Sequence, residues 1–122
     1  MAKHLDLGQR GENLALSFLK EQAYEILDTN WRYSRAEIDI VARKDEQLII
    51  VEVKTRASYR HGHPEDDVDH RKQQLLYDAA TAYMDWIDHA GEIRFDILSV
   101  VIRPNGTHDI RHLEDAFFPG LF

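Results

Sequence analysis

Residues 37–54 constrain the fold more than any other stretch of this 122-residue chain. Two runs rich in Ile and Val flank the polar tetrapeptide Lys44-Asp45-Glu46-Gln47, which predicts an antiparallel hairpin closed by a four-residue loop. With Arg43 facing Leu48, Asp39 falls directly opposite Glu52, and Glu37 opposite Lys54. Strand alternation then projects Glu37, Asp39, Glu52 and Lys54 from one face. Opposed residues hold their Cβ atoms about 5 Å apart, where two like charges repel. A cation between the carboxylates would remove that penalty. The alternative is an ordinary Glu37–Lys54 cross-strand ion pair, with Asp39 and Glu52 facing water. Against it, Val41, Leu48 and Ile50 share the carboxylate face, while Ile38, Ile40, Ala42, Ile49, Val51 and Val53 take the other. Both faces are thus largely apolar, as in a strand pair covered on two sides. Carboxylates on covered strands are costly unless paired or metal-bound, so the hairpin reads as half of a metal site.

Asp6 and Gln9 have capping-box spacing, and an apolar-periodic segment follows from about 8 to 22, with Ala15, Phe18, Leu19 and Gln22 on one face. Glu12 lies on the same stripe; an acid near a helix start favours the macrodipole, but this one faces the core. Gly8 and Gly11 cost helix stability and predict a close approach by backbone or ligand. Residues 24–28 form a short strand candidate, after which Trp31 and Tyr33 suit the bracing of a core edge better than stacking on a base. The longest helix is expected over about 67–89, with Val68, Lys72, Leu75, Leu76, Ala79, Tyr83, Trp86 and Ile87 on its apolar stripe and Gly91 as its stop. Lys72 interrupts that stripe, either snorkelling to solvent or pointing into the site, and Gln73 with Tyr77 forms a polar pair open to the same two roles. A strand over 93–102, a turn at Pro104-Asn105-Gly106 and a short strand over 107–110 follow, and the apolar tail 117–122 packs on the body or on another chain. The order is helix, three strands, helix, strand and an appended strand: an α/β chain with a mixed sheet flanked by helices on both faces.

The length suits one domain spanning residues 1–122. No run approaches a membrane span and no basic-then-apolar leader opens the chain, while the absence of cysteine excludes disulfides and thiolate sites and fits a cytoplasmic location. The net charge of −7 argues against general affinity for nucleic acid, so any such contact needs a local patch or a bridging metal. The one locally basic zone holds Lys54, Arg56, Arg60, Arg71 and Lys72. His61 and His63 could ligate a transition metal from their loop, but no third ligand stands at diagnostic spacing.

The acid on the first helix, then Asp39, then Glu52-Val53-Lys54 on the next strand resembles the PD-(D/E)XK nuclease superfamily. More closely, residues 8–15 with Gly8, Gly11, Glu12 and Ala15, then Asn30-Trp31-Arg32, Glu37-Ile38-Asp39-Ile40, Val51-Glu52-Val53-Lys54-Thr55-Arg56 and Arg94-Phe95-Asp96-Ile97 resemble the YraN-like family of small bacterial proteins described as endonucleases. The resemblance covers nearly the whole chain. It implies a restriction-endonuclease-like αβββαβ core and a Mg²⁺- or Mn²⁺-dependent endonuclease hydrolysing DNA phosphodiester bonds, with the structure selectivity of Holliday junction resolvases. It further implies Asp39 and Glu52 as metal ligands, Glu12 as the helical acid completing the site, and Lys54 as the group acting on the attacking water. Arg56, Arg60 and Lys72 would contact nucleic acid, DNA more than RNA, and the resolvase analogy implies a homodimer. Gln73 and Tyr77 resemble a Gln-x-x-x-Tyr element of some nuclease branches. Two positions depart from the pattern: Ala36 stands where Gly more usually precedes Glu37, and Ile38 replaces the Pro of the superfamily's name. A second interpretation stays open, a non-catalytic nucleic-acid-binding or protein-interaction module that keeps the nuclease fold.

Overall fold

The computed structural model describes residues 6–60 and 62–118; the tail 119–122 and His61 lie outside the described residues. Helix α1 spans Leu7–Glu21, and Asp6 caps it by accepting a hydrogen bond from the Gln9 N–H at 2.7 Å. Its buried face is Gly11, Ala15 and Leu19, whereas Gln22, expected on that stripe, is exposed at the C-cap. Of the two glycines, only Gly11 is forced by packing: a Cβ there would sit 1.9 Å from the Thr55 hydroxyl. At Gly8 a Cβ would meet nothing closer than 3.6 Å, so no close approach explains it.

Strands β1 (Glu25–Tyr33), β2 (Ala36–Lys44) and β3 (Gln47–Arg56) follow as an antiparallel meander. The hairpin register holds as expected, with Arg43 paired to Leu48 and Ile40 to Val51. Its loop is shorter than expected, because Lys44 pairs with Gln47 and leaves only Asp45 and Glu46 to turn the chain, both at positive φ. That is the backbone of a tight hairpin turn whose twist matches the strands. β1 also runs past 28 through Trp31 and Tyr33, with a register shift between Ile26 and Asp28.

After β3, a short 3-10 helix over Pro64–Asp67 delays the second helix, α2, to His70–Ile87. Asp69 caps its start, and Asp88 in the left-handed region ends it before Gly91 is reached. Trp86, expected in the core, is 66% exposed. Strands β4 (Ile93–Ile102) and β5 (His108–Leu113) complete a five-stranded sheet in the order β1-β2-β3-β4-β5, with β3 and β4 parallel and the other pairs antiparallel.

The sheet separates two apolar layers. Val41, Leu48, Ile50, Phe95 and Ile97 pack with Leu76, Ala79, Ala80 and Tyr83 of α2. Ile40, Ala42, Ile49, Val51 and Leu98 pack with Ala15 and Leu19 of α1. Ile38 joins the α2 layer, not the Ile40 face that plain alternation gives it, so the strand reorients at Asp39. At the end of the described chain Phe117 packs on Phe95 with ring centroids 5.4 Å apart, while Phe118 is exposed. Among the described residues, no helix is long and apolar enough to cross a membrane.

Candidate active site

The break in alternation at Asp39 marks the place where β2 and β3 part. The β2–β3 pairing runs only as far as Ile40 and Val51, and beyond it the Asp39 side chain takes over the ladder: its Oδ2 accepts the Val53 N–H at 2.8 Å. A backbone donor that would have been orphaned at the opening is thereby satisfied, and the Asp39 carboxylate is fixed in the gap. Glu52, on the α2 side of β3, is only 3% exposed. Its Oε1 meets two ammonium groups, Lys72 Nζ at 3.3 Å and Lys54 Nζ at 3.6 Å. Its Oε2 is buried with no hydrogen-bond partner. Lys72 therefore points into the site instead of snorkelling away from it.

This arrangement disfavours negative charge. Burial, then the charge of Asp39, pushes the Glu52 carboxyl up to about 7, against the pull of Lys72 and Lys54. Burial also raises Asp39, which the Val53 N–H, Lys72 and Lys54 draw back and Glu37 pushes further. Glu12, reaching over from α1, is raised by burial and by the charges of Asp39 and Glu37, while a hydrogen bond from the Asn30 side chain opposes the shift. Asn30 was missed by the sequence reasoning as a site residue. It holds φ +51 within β1, and its place in the Asn30-Trp31-Arg32 motif was the sequence signal that could have pointed to it.

Other expected roles change. Glu37 does not meet Lys54; it pairs with Arg32 across the β1–β2 ladder at 2.9 Å. Arg56 is held by both oxygens of Asp67 at 2.8 and 2.7 Å, so its guanidinium is already engaged. Arg60 is exposed on the loop and forms no ion pair among the described residues. Gln73 and Tyr77 do not act together: the Gln73 side-chain amide donates to the Val68 carbonyl at 3.3 Å, and Tyr77 faces a surface pocket. His63 stacks edge-on against Tyr59. Among the described residues, no group of three His, Asp or Glu side chains is disposed to hold a metal, so Glu12 does not close a ligand set with Asp39 and Glu52.

The donor set nonetheless fits a hard divalent cation at two carboxylates. Asp39 and Glu52 offer oxygen only, as Mg²⁺ and Mn²⁺ prefer, and the partnerless Oε2 of Glu52 supplies a buried acceptor with nothing to accept from.

The chain also matches a family model, described as uncharacterised protein family UPF0102, over residues 11–100. It belongs to that family. The UPF0102 protein of Flavobacterium psychrophilum is 48% identical over 118 residues, covering 97% of this chain and 98% of the relative. The UPF0102 protein of Bacteroides thetaiotaomicron is 45% identical over 122 residues, with both chains covered in full. That of Flavobacterium johnsoniae is 46% identical, covering 97% of this chain and 98% of the relative. The matched segment of this UPF0102 chain contains Glu12, Asp39, Glu52, Lys54 and Lys72.

Proposed function

We propose that this UPF0102 protein is a metal-dependent DNA endonuclease with a PD-(D/E)XK-type site on a restriction-endonuclease-like αβββαβ core. One observation carries the proposal: a carboxylate oxygen of Glu52 is buried without a partner beside Asp39, at the mouth of a parted strand pair. Buried acids are ordinarily satisfied, and an exception marks a place where something else binds. Asp39 and Glu52 would hold Mg²⁺ or Mn²⁺, which supplies Lewis-acid polarisation of a phosphate and a more acidic bound water.

The remaining steps belong to the chain. Lys54 and Lys72 presently share Glu52 Oε1. With a cation held by Asp39 and Glu52, Lys54 and Lys72 would be free to face phosphate oxygens. As water adds to phosphorus and one P–O bond breaks, negative charge grows on the non-bridging oxygens, and a preplaced Lys54 offsets it without reorganisation. Glu12, kept less acidic by its surroundings, is suited to exchange a proton with water in the gap.

The lack of a three-acid cluster among the described residues favours the second interpretation, a binding module without turnover. Cleavage separates the two. Purified protein with Mn²⁺ is expected to cut linear, flapped or four-way DNA, and Asp39→Ala to abolish the cutting. Intact DNA in every wild-type reaction, with oligonucleotide still bound, would leave the binding module.

A further inference from the structure

The acidic balance of this chain leaves its affinity for a polyanion unexplained. Near the parted strands, the described cations are mostly spent: Arg32 on Glu37, Arg56 on Asp67, and Lys54 and Lys72 on Glu52. A protein that cannot rely on phosphate contacts can hold single-stranded nucleic acid through the faces of its bases. The molecule has an arrangement of that chemistry beside the site.

Trp31 and Tyr33 project from the same side of β1 with nearly parallel rings, 4° apart in plane and 6.4 Å between centroids. Trp86 of α2 lies on the other flank of Trp31, at 19° and 6.0 Å. Tyr83 braces the group edge-on, 5.0 Å from Trp31 and 5.5 Å from Trp86. The order is thus Tyr33, Trp31, Trp86. Its middle ring is partly buried, while Tyr33 is 46% and Trp86 66% exposed. At the Tyr33 end opens a pocket of about 610 Å³ between the β1–β2 turn and α2, whose lining includes Arg35, Ala36, Tyr77, Asp78 and Asp85. Ala36 is three residues from Asp39 along β2, about 10 Å at the rise of a strand.

We propose that the Tyr33–Trp31–Trp86 ladder and its adjoining pocket form a subsite on which unpaired bases flanking the scissile phosphate stack. The proposal rests on the nuclease assignment for the position of that phosphate. Core bracing explains Trp31 and Tyr83, but it does not explain two large aromatic rings left open at both ends of a parallel stack. Arg35, which forms no ion pair among the described residues, is placed to meet a phosphate of the incoming strand. Asp78 and Asp85 repel phosphates, so the pocket favours bases over backbone. A paired duplex hides its base faces and gains nothing here.

Both tryptophans of the chain belong to the ladder, so intrinsic tryptophan fluorescence reports on it alone. With EDTA present to prevent turnover, a short single-stranded oligothymidylate is expected to quench that fluorescence. An abasic strand with the same number of phosphates should not, and neither should a blunt duplex. Trp86→Ala and Tyr33→Ala should each weaken oligothymidylate binding about tenfold, the loss expected for one stacked base, and Trp86→Phe should restore most of it. The salt dependence should be shallow, because few phosphates are neutralised. Equal quenching by the abasic strand overturns the proposal, as does wild-type affinity in both alanine variants. A dimer that dissociates on Trp86→Ala overturns it too, by showing that a second copy covers the rings. Cleavage of flapped DNA is scored in parallel. Cutting without ring-dependent binding rejects the subsite alone, whereas ring-dependent binding without wild-type cutting rejects the nuclease and leaves the stacking surface.

Discussion

The sheet buries a carboxylate on each face, Asp96 toward α1 and Glu52 toward α2, one residue apart in the β3–β4 register, and the two are treated in opposite ways. Asp96 on β4 is fully buried, yet every side of it is answered. Arg94 donates from Nε at 2.8 Å and from a terminal nitrogen at 2.7 Å, His112 Nε2 lies at 2.7 Å, and the Asp115 N–H donates at 2.9 Å. Tyr24 completes the cluster by accepting from Arg94 at 2.8 Å. Burial alone would raise Asp96, but His112, Arg94 and the Asp115 amide outweigh it and hold the acid below its ordinary 3.8. Glu52 is almost as buried, shares one oxygen between two lysines and leaves the other bare, and it is pushed up to about 7. The same chain can satisfy a buried acid and on one face does not. Departures of that kind from local consistency are expected where function, and not stability, sets the arrangement.

The largest expected effect is at the satisfied acid. Asp96→Ala leaves the Arg94 guanidinium, 16% exposed, without its main partner, and should cost about 3–5 kcal/mol in urea unfolding. Glu52→Gln should go the other way in metal-free buffer, gaining on the order of 1 kcal/mol, because it removes a charge that folding raises in pKa. If Glu52→Gln instead loses as much as Asp96→Ala, Glu52 is a structural anchor and the contrast fails. Lys54→Ala belongs between these in magnitude but in another quantity: turnover should drop by a factor worth about 3 kcal/mol while the melting temperature barely moves.

The pH dependence separates the two acids further. Asp96 has a lowered folded pKa, so its contribution is present above the unfolded value near 3.8 and is lost as pH falls through the folded value. Glu52 has a raised one, so its contribution is present below 4.5 and is lost as pH rises toward about 7. Metal-free wild type should therefore weaken both in strong acid and on approaching neutrality. Asp96→Asn should flatten the acid limb, and Glu52→Gln the other. A wild-type curve level from pH 4.5 to 7 would mean that Glu52 is not buried as a charge.

What the sequence disclosed of this contrast was uneven, for physical reasons. The β2–β3 register was legible because the polar residues 44–47 centre the turn and so set Arg43 opposite Leu48. The two-residue turn was not, since Lys44 and Gln47 are polar and yet paired. Glu37 was assigned to Lys54 because β1 was read only to 28, and its true partner Arg32 lies past the Asn30 irregularity. The end of the ladder at Ile40 was hidden because a side chain, Asp39, replaced a backbone partner. The proximity of Asp39, Glu52 and Lys54 was legible, because all three are local to one hairpin. The Asp96 cluster could not, because Tyr24, Arg94 and His112 meet only after the whole sheet has formed, and β4 alternation alone places just Arg94 beside Asp96.

The smallest expected effect tests whether the hairpin turn and the Glu52 site are energetically separate. Glu46 turns the β2–β3 hairpin at φ +68, a conformation that costs an L-residue about 1 kcal/mol and glycine little. This turn lies at the end of β3 away from the parted strands, where Gln47 approaches Glu92 at 3.3 Å and Arg94 at 3.5 Å. Glu46→Gly should gain a few tenths of a kcal/mol, part of the relieved strain being offset by the greater freedom of glycine in the unfolded chain. Neither Mn²⁺-dependent cleavage nor oligonucleotide binding should change. Combined with Glu52→Gln, the stabilities should add to within about 0.5 kcal/mol, as they do for distant sites without shared partners. A larger departure would mean that strain in the turn is transmitted along β3 to the parted strands, and the turn and the Glu52 site would have to be treated as one cooperative unit.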